Sequence, residues 1–548
     1  MADLLKGLNP TVQALLATLL SVDIMTTSSK HNNHNGNRSD LPLSWRHRMG
    51  LSILGGALLL LSFPFFNLWP LIWIGLVPLL IAIQGVKPRR ALLLGWICGA
   101  IYVSGMTYWI LPLYPYANFP IVLLATLLLT GYLAFYVAGF SWIVRRLNLR
   151  SAPAYIFIPA VLWTALELLR GWLFTGLPWG SLGHSQYRFL PIAQIASITG
   201  LGGISFLIVS VNAALARLIL NLRRWREEIR YILIPFALFL ICLSYGIWKL
   251  ERPLPPKGKI EIALIPGNVP QREKMYGDPR VTFRRYLENL DEVTYERPDL
   301  IVFPETFVLM DLLRPGRRGY IEMLQNRLRE GGSWLLFGIP HYETKGDRGD
   351  YNAAVLLSPD RVVGKYYKQH LVPFSEYTPL RRYLPKSIKA KVVGVADFNK
   401  GRESVVLTLP NGARFGVVIC FESVFPYIFR EFVRKGVDFM GIITNDAWFE
   451  GTSAPYQHYA MAPFRAIETG KAVFRCANKG VTCVIGPNGR VISGVVKPDE
   501  NGIIIAEVPL YPGITFYMRF GEWFPLTCLI ALLAYMALSY FMKRAQRR

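Results

Sequence analysis

The chain has 548 residues, of which 52% are hydrophobic, and a mean hydropathy of +0.30. That is too apolar for an ordinary soluble enzyme and calls for membrane spans. The formal net charge is +24 at pH 7, but the basic residues sit mostly in short clusters at the ends of apolar runs. That distribution serves membrane topology and argues against nucleic-acid binding. Three of the six cysteines, Cys98, Cys242 and Cys528, fall in apolar runs. The others, Cys420, Cys476 and Cys483, have neither Cys-x-x-Cys nor metal-ligand spacing. Neither a disulfide framework, nor a metal, nor a cofactor is expected.

Residues 1–48 read as an N-terminal extension. A short apolar helix over 12–25 is too brief to cross a hydrocarbon core of about 30 Å, and 31–40 has a disordered composition. A signal peptide competes for the first 25 residues, but no clear small-residue cleavage site follows. Residues 49–250 then hold seven apolar segments, at 50–66, 70–86, 91–112, 119–144, 154–174, 191–220 and 230–249. An eighth, 523–542, precedes a basic tail within 523–548.

The charges between these segments alternate. Arg46 and Arg48 precede the first segment, and the connection near Asn67 carries no basic residue. Lys87, Arg89 and Arg90 mark the second connection, and Arg145, Arg146 and Arg150 the fourth. Arg217, Arg223, Arg224 and Arg226 mark the sixth, and Lys543, Arg544, Arg547 and Arg548 the tail. Basic connections face the cytoplasm, so both termini are expected there. An odd number of spans then puts the polar domain, 251–522, on the other side.

That domain has strand-like runs at 259–265, 299–303, 334–339, 353–357, 404–409, 414–420, 438–444, 481–486 and 502–507. Helix-like stretches lie at 280–295, 318–330, 424–435 and 456–469. The mixture predicts a layered α/β domain. Three runs end in polar groups: Phe-Pro-Glu305, Val-Val-Ile-Cys420 and Thr-Asn445-Asp446. If these strands share one sheet and one direction, their ends meet in one crevice. A further strand runs through Lys-Tyr-Tyr-Lys368 into a loop that reaches Glu376.

A thiol needs a base or a cationic neighbour to act as a nucleophile near neutral pH. His341, His370 and His458 are the nearby imidazoles, and none has a Ser/His/Asp-like sequence context. Glu305 is a candidate base for Cys420, Lys368 a candidate oxyanion stabiliser, and Glu376 a group holding Lys368 or Glu305 in place. Each has an ordinary alternative: a buried filler cysteine, a turn carboxylate, a solvated strand-edge lysine.

Phe-Pro-Glu305, Lys-Tyr-Tyr-Lys368, Leu-Val-Pro-Phe-Ser-Glu376 and Ile-Cys420-Phe421-Glu422 occur in that order. Thr-Asn445-Asp-Ala-Trp448-Phe and Arg475-Cys-Ala-Asn478 follow. In these motifs the chain resembles the nitrilase, or carbon–nitrogen hydrolase, superfamily. The resemblance implies an α-β-β-α sandwich and a catalytic set of Glu305, Lys368 and Cys420. Supporting roles would fall to Glu376, Glu422, Phe421, Asn445 and Trp448.

Eight spans with this domain ahead of the last resemble the apolipoprotein N-acyltransferase family of the bacterial inner membrane. The motifs Glu167-Leu-Leu-Arg170-Gly-Trp and Gly176-Leu-Pro-Trp179-Gly, with Ser185 and Gln186, add to that likeness. The family reaction would move an acyl chain from a phospholipid, such as phosphatidylethanolamine, onto Cys420 as a thioester. The α-amino group of a diacylglyceryl-cysteine apolipoprotein would then accept it. The catalytic domain would be periplasmic, and the protein a monomer.

Gln271, Met275, Tyr276, Glu167 and Arg170 are candidate substrate contacts, the last two alternatively an ion pair fixing the bundle. Met275, Phe421 and Ser375 depart from the family pattern. Two apolar stretches, 307–313 and 391–398, are expected to form lids that dip toward lipid, with core packing as the alternative. A membrane-tethered amidase with the same catalytic set is the second functional reading, and a transporter with a binding domain the third.

Overall fold

A computed structural model describes residues 43–149, 151–252, 255–344, 348–379 and 397–545. The expected features at 12–25 and 31–40, and the lid residues 391–396 with Val393, lie outside the described residues.

Among the described residues, six helices are long and apolar enough to cross a membrane: Pro88–Leu113, Phe119–Leu147, Ala152–Trp172, Leu201–Leu220, Leu222–Glu251 and Trp523–Met542. The first expected segment forms the 17-residue helix Trp45–Leu61. The second is broken into short pieces between Trp69 and Ala82, where Pro70 and Pro78 each open a new piece. The sixth segment divides at Gly200, whose φ of +64° ends one short helix before Leu201–Leu220 begins.

Small residues bring helices close. At Gly95 and Gly99 a Cβ would collide with Ser141 and Val137, and with Ala134 and Val137, of the facing helix Phe119–Leu147. Their spacing of four residues puts both on one face, so Pro88–Thr107 lies against that helix at backbone distance.

The sheet region contains two sheets. The first has the order β11-β1-β2-β3-β4-β5 and the second β10-β9-β8-β7-β6. In the first, β1 is Gly258–Leu264, β2 Leu300–Val302, β3 Trp334–Glu343, β4 Gly349–Leu357, β5 Val362–Tyr367 and β11 Ile504–Leu510. In the second, β6 is Leu407–Thr408, β7 Arg414–Ile419, β8 Phe439–Asn445, β9 Ala472–Asn478 and β10 Cys483–Ile485.

Alternation along the strands builds four layers. Ile301, Phe303, Leu335 and Phe337 point to helices Pro279–Thr294 and Arg318–Gly331 through Phe283, Tyr286, Leu290 and Leu324. Leu300, Val302 and Leu336 point the other way, into the core that holds Val417, Val418, Phe439 and Ile442 of the second sheet. Phe429, Phe432, Phe464 and Ile467, from the helices Pro426–Arg434 and Ala462–Thr469, close its far side.

Two expectations need correction. Strand β9 was not among the predicted strands, because Arg475 interrupts an otherwise apolar run. Its side chain is fully buried and donates from Nη2 to Asp446 Oδ2 at 2.6 Å, so the charge is compensated inside the sheet region. The stretch 307–313 is not a lid: Phe307, Val308, Met310 and Leu312 are buried in the core beneath the first sheet, and Leu309 is exposed.

Candidate active site

The three polar strand ends do meet, but not on one sheet. Glu305 follows β2 of the first sheet, while Cys420 follows β7 and Asn445 ends β8 of the second. Strands β7 and β8 are parallel neighbours, which puts their carboxyl ends side by side. The crevice is therefore the seam between two sheets.

Lys368, immediately after β5, is 1% exposed. Its Nζ donates to Glu376 Oε1 at 2.8 Å and lies 3.4 Å from Glu305 Oε1. Burial works against its charge, but the carboxylates of Glu376 and Glu305 outweigh burial and hold its pKa above the ordinary lysine range. Asn352 of β4 donates from Nδ2 to both carboxylates, at 2.8 Å to Glu305 and 2.9 Å to Glu376. The Asn445 backbone N–H donates to Glu305 Oε2 at 2.8 Å. These contacts to the Glu305 carboxylate all come from N–H donors.

Cys420 opens a 3₁₀ turn, Cys420–Val424, with a φ of +53°. A non-glycine residue there costs on the order of 1–3 kcal/mol and persists where the surroundings enforce it. Glu422 supplies much of that enforcement. Its fully buried carboxylate accepts from the backbone N–H groups of Ile419 (2.8 Å), Gln369 (2.6 Å) and His370 (3.1 Å). Tyr366 Oη adds bonds of 2.9 and 3.0 Å. Glu422 so joins the Cys420 turn to the loop that carries Lys368.

Burial and the Glu305 carboxylate push the Cys420 thiol well up, and Lys368 pulls it down by less. Glu305 and Lys368 are the two charged groups that act on the thiol most strongly. His370 is lowered to about 4, by burial first and then by Lys400 and Lys368, and stacks on Phe425 at 3.8 Å.

His458 corrects the sequence reading. Its Nε2 lies 2.7 Å from Ser423 Oγ and its Nδ1 3.0 Å from Asp446 Oδ1, a Ser/His/Asp arrangement that no local motif announced. All three side chains are buried, at 2%, 5% and 3% exposure, and together they tie the turn to the end of β8.

The other candidates divide. Gln271 reaches the site, accepting from Asn445 Nδ2 at 2.9 Å, while Asn478 Nδ2 donates to Asn445 Oδ1 at 2.8 Å. Phe421 packs edge-on against Phe425 at 5.1 Å. Tyr276 is exposed and Met275 half-buried. Trp448 packs on Tyr116 of the helical region at 5.2 Å. Glu167 and Arg170 turn to different partners. Glu167 accepts from Trp163 and from the Leu182 backbone, and Arg170 donates to Ser181, so both fix the loop after their helix.

Sequence reasoning missed Asn352 and Lys274. Lys274 is buried and donates to the Glu305 carbonyl at 3.3 Å. It also missed the joint to the helical region. Gln457 Oε1 accepts from Trp109 Nε1 at 3.2 Å and Trp179 Nε1 at 2.8 Å, and its Nε2 donates to the carbonyls of Pro64 and Gly105.

A carboxylate, a buried ammonium and a thiol at a two-sheet seam define an enzyme of the carbon–nitrogen hydrolase class, and residues 263–511 match the Carbon-nitrogen hydrolase family model. Residues 55–214 match the model of the apolipoprotein N-acyltransferase N-terminal domain. The chain is 37% identical over 512 residues to the apolipoprotein N-acyltransferase of Geobacter metallireducens, covering 89% of this chain and 95% of that protein. It is 33% identical to that of Azotobacter vinelandii, covering 91% and 95%. The chain belongs to the apolipoprotein N-acyltransferase family.

Proposed function

We propose that this protein transfers an acyl chain from a membrane phospholipid to the α-amino group of a diacylglyceryl-cysteine apolipoprotein, through a thioester on Cys420. The observation that carries the reading is the seam: Glu305 and the buried Lys368 stand beside a protonated thiol on a strained turn. Glu305 takes the thiol proton as sulfur attacks the ester carbonyl. Lys368 faces the developing oxyanion, which needs a cation that stays charged. When the carbon–oxygen bond breaks, Glu305 returns the proton to the departing alkoxide, and a lysophospholipid leaves. The acceptor amine then attacks the thioester, gives its proton to Glu305, and expels the thiolate, which is reprotonated.

Both substrates are lipids, which accounts for the membrane helices. The proposed topology has eight spans, counting Trp45–Leu61 and the broken segment 69–82 as one pass each beside the six long helices. The basic clusters support cytoplasmic termini and a domain, 251–522, on the periplasmic side of the inner membrane, with the protein a monomer.

The test is incubation with phosphatidylethanolamine vesicles, followed by mass mapping of the Cys420 peptide. An acyl adduct that disappears when a diacylglyceryl-cysteine peptide is added is the expected result. No adduct, together with release of ammonia from a small amide, would replace this reading with the amidase.

A further inference from the structure

The 20-residue helix Trp523–Met542 matches, at about 1.5 Å per residue, a hydrocarbon core of about 30 Å. Once it crosses the membrane, Trp523 stands at one boundary of that core. The residues just before it then fall in the headgroup layer, whichever side of the membrane that is. They form a five-residue helix, Phe516–Phe520, closed by Gly521, whose φ of +69° turns the chain into the span.

The short helix has two faces. Tyr517 and Met518 are buried in the core, and the Tyr517 ring lies against Gly200, where a Cβ would come within 2.3 Å of it. On the other side Ile514, Phe516 and Phe520 are 46%, 48% and 51% exposed, and Arg519 is exposed as well. Phe516 packs on Phe520 at 4.5 Å and meets Trp523 edge-on at 5.7 Å, so the apolar stripe continues into the first turn of the span.

The sheet region grips both ends of this helix. Thr515 caps it, accepting from the Met518 N–H at 3.1 Å, and donates to the Glu468 carbonyl. At the other end Arg430 donates from Nε to the Met518 carbonyl and from Nη2 to the Arg519 carbonyl, both at 2.8 Å. Gly521 leaves room for that guanidinium, since a Cβ there would lie 2.3 Å from Arg430 Nη1. Glu468 and Arg430 belong to the helices Ala462–Thr469 and Pro426–Arg434, so the stripe is held outward on a fixed mount. Aromatic rings beside an arginine suit the headgroup layer, where the rings sit among the upper acyl chains and the guanidinium reaches phosphate.

We propose that Phe516–Phe520, with Ile514, is an interfacial foot. It lies in the headgroup layer of the phospholipid leaflet at the start of the last span, with its aromatic stripe toward the acyl chains and Arg519 against a lipid phosphate. Through Arg430 the foot sets the height above the bilayer of Pro426–Arg434, the helix that follows the Cys420 turn. The inference rests on Trp523–Met542 crossing the membrane and is independent of the reaction at Cys420.

The test uses the full-length protein in vesicles of phosphatidylethanolamine and phosphatidylglycerol. A nitroxide is attached at Phe520→Cys, with Ile514→Cys as a second position should the first impair folding. Leu533→Cys, exposed near the middle of the span, and Tyr295→Cys, 84% exposed on the sheet domain, give the hydrocarbon and aqueous references. The signal of the labelled parent, from its own cysteines, is subtracted. Power saturation then compares collisions with oxygen, which partitions into lipid, and with a water-soluble nickel chelate. Nickel collisions should fall about threefold from position 295 to position 520 and further at 533, with the 520 label about 5–10 Å below the headgroup surface. Arg519→Glu should raise nickel access at 520, and Arg519→Lys should not. Nickel access at 520 equal to that at 295, with 533 in hydrocarbon, would overturn the inference. So would a 520 label shielded from both reagents in a protein that runs as a dimer, because a second copy would then cover the stripe. An unmoved 520 label in Arg519→Glu would overturn the phosphate contact. Water at 533 would overturn the span itself and this inference with it. Acyl transfer enters none of these readings, so failure of the proposed reaction would leave them standing.

Discussion

Asn352 donates to two carboxylates with one amide nitrogen, so it holds Glu305 and Glu376 on either side of Lys368. Asn352→Leu would leave both carboxylates short of a donor, and acyl transfer is expected to fall about 10- to 100-fold in kcat/KM. Cys420→Ala, Glu305→Gln and Lys368→Met should each abolish measurable turnover, and pairing them should cost little more, because the groups act as a unit. Lys274 gives a pH signature. Burial lowers it to about 7, and Glu305 offsets part of that effect. Its folded value lies below its unfolded value near 10.5, so the unfolded chain binds the extra proton in between. Stability should rise with pH across that window, by up to about 1.4 kcal/mol per pH unit, and be lost as pH falls through 7. In Lys274→Met the unfolding midpoints at pH 7 and pH 9 should draw together. The candidate set of Glu305, Lys368 and Cys420 was legible because its motifs are local and ordered. Asn352 and Lys274 were not, because each is one polar residue whose partner is distant in sequence: Glu305 is 47 residues from Asn352 and 31 from Lys274.

At the scale of elements, the turn Cys420–Val424 is held from both sides. Glu422 ties it to the Lys368 loop, and Ser423 ties it through His458 to the end of β8. Glu422→Gln would put an amide nitrogen among donors, leaving at least one buried N–H or O–H unpaired at a cost of about 2 kcal/mol. We expect a lower unfolding midpoint together with faster proteolysis near residue 420. Most strands could be read from alternation, and both lateral helices from their apolar stripes. The sheet to which each strand belongs could not, since periodicity carries no information on pairing between distant segments. For that reason the convergence of Glu305 with Cys420 was expected within one sheet and is found across two. The 307–313 stretch failed as a lid for a related reason: apolarity suits a core as well as a bilayer, and Phe307 and Leu312 are in the core.

For the whole molecule, Gln457 is the polar fastener between the sheet region and the helices. It bonds two indoles and two backbone carbonyls from three separate parts of the helical region, and the next residue, His458, braces the Cys420 turn. Gln457→Leu would strand buried donors and acceptors at a cost of about 3 kcal/mol, and Gln457→Glu should fall between it and the parent, because it can still accept from both indoles. Thermal unfolding in detergent would read that ranking. Hydropathy announced the helical region and its division from the sheets, but a lone glutamine on a short helix, Ala454–Tyr459, gave no sign of what it touches. The two-sheet seam also sets an order of assembly. Synthesis from the amino end lays down Glu305 and Lys368 before Cys420 and Asn445, so the carboxylate and ammonium precede the thiol that joins them only when the second sheet meets the first. An unfinished chain would carry Glu305 and Lys368 without the sulfur that completes the seam.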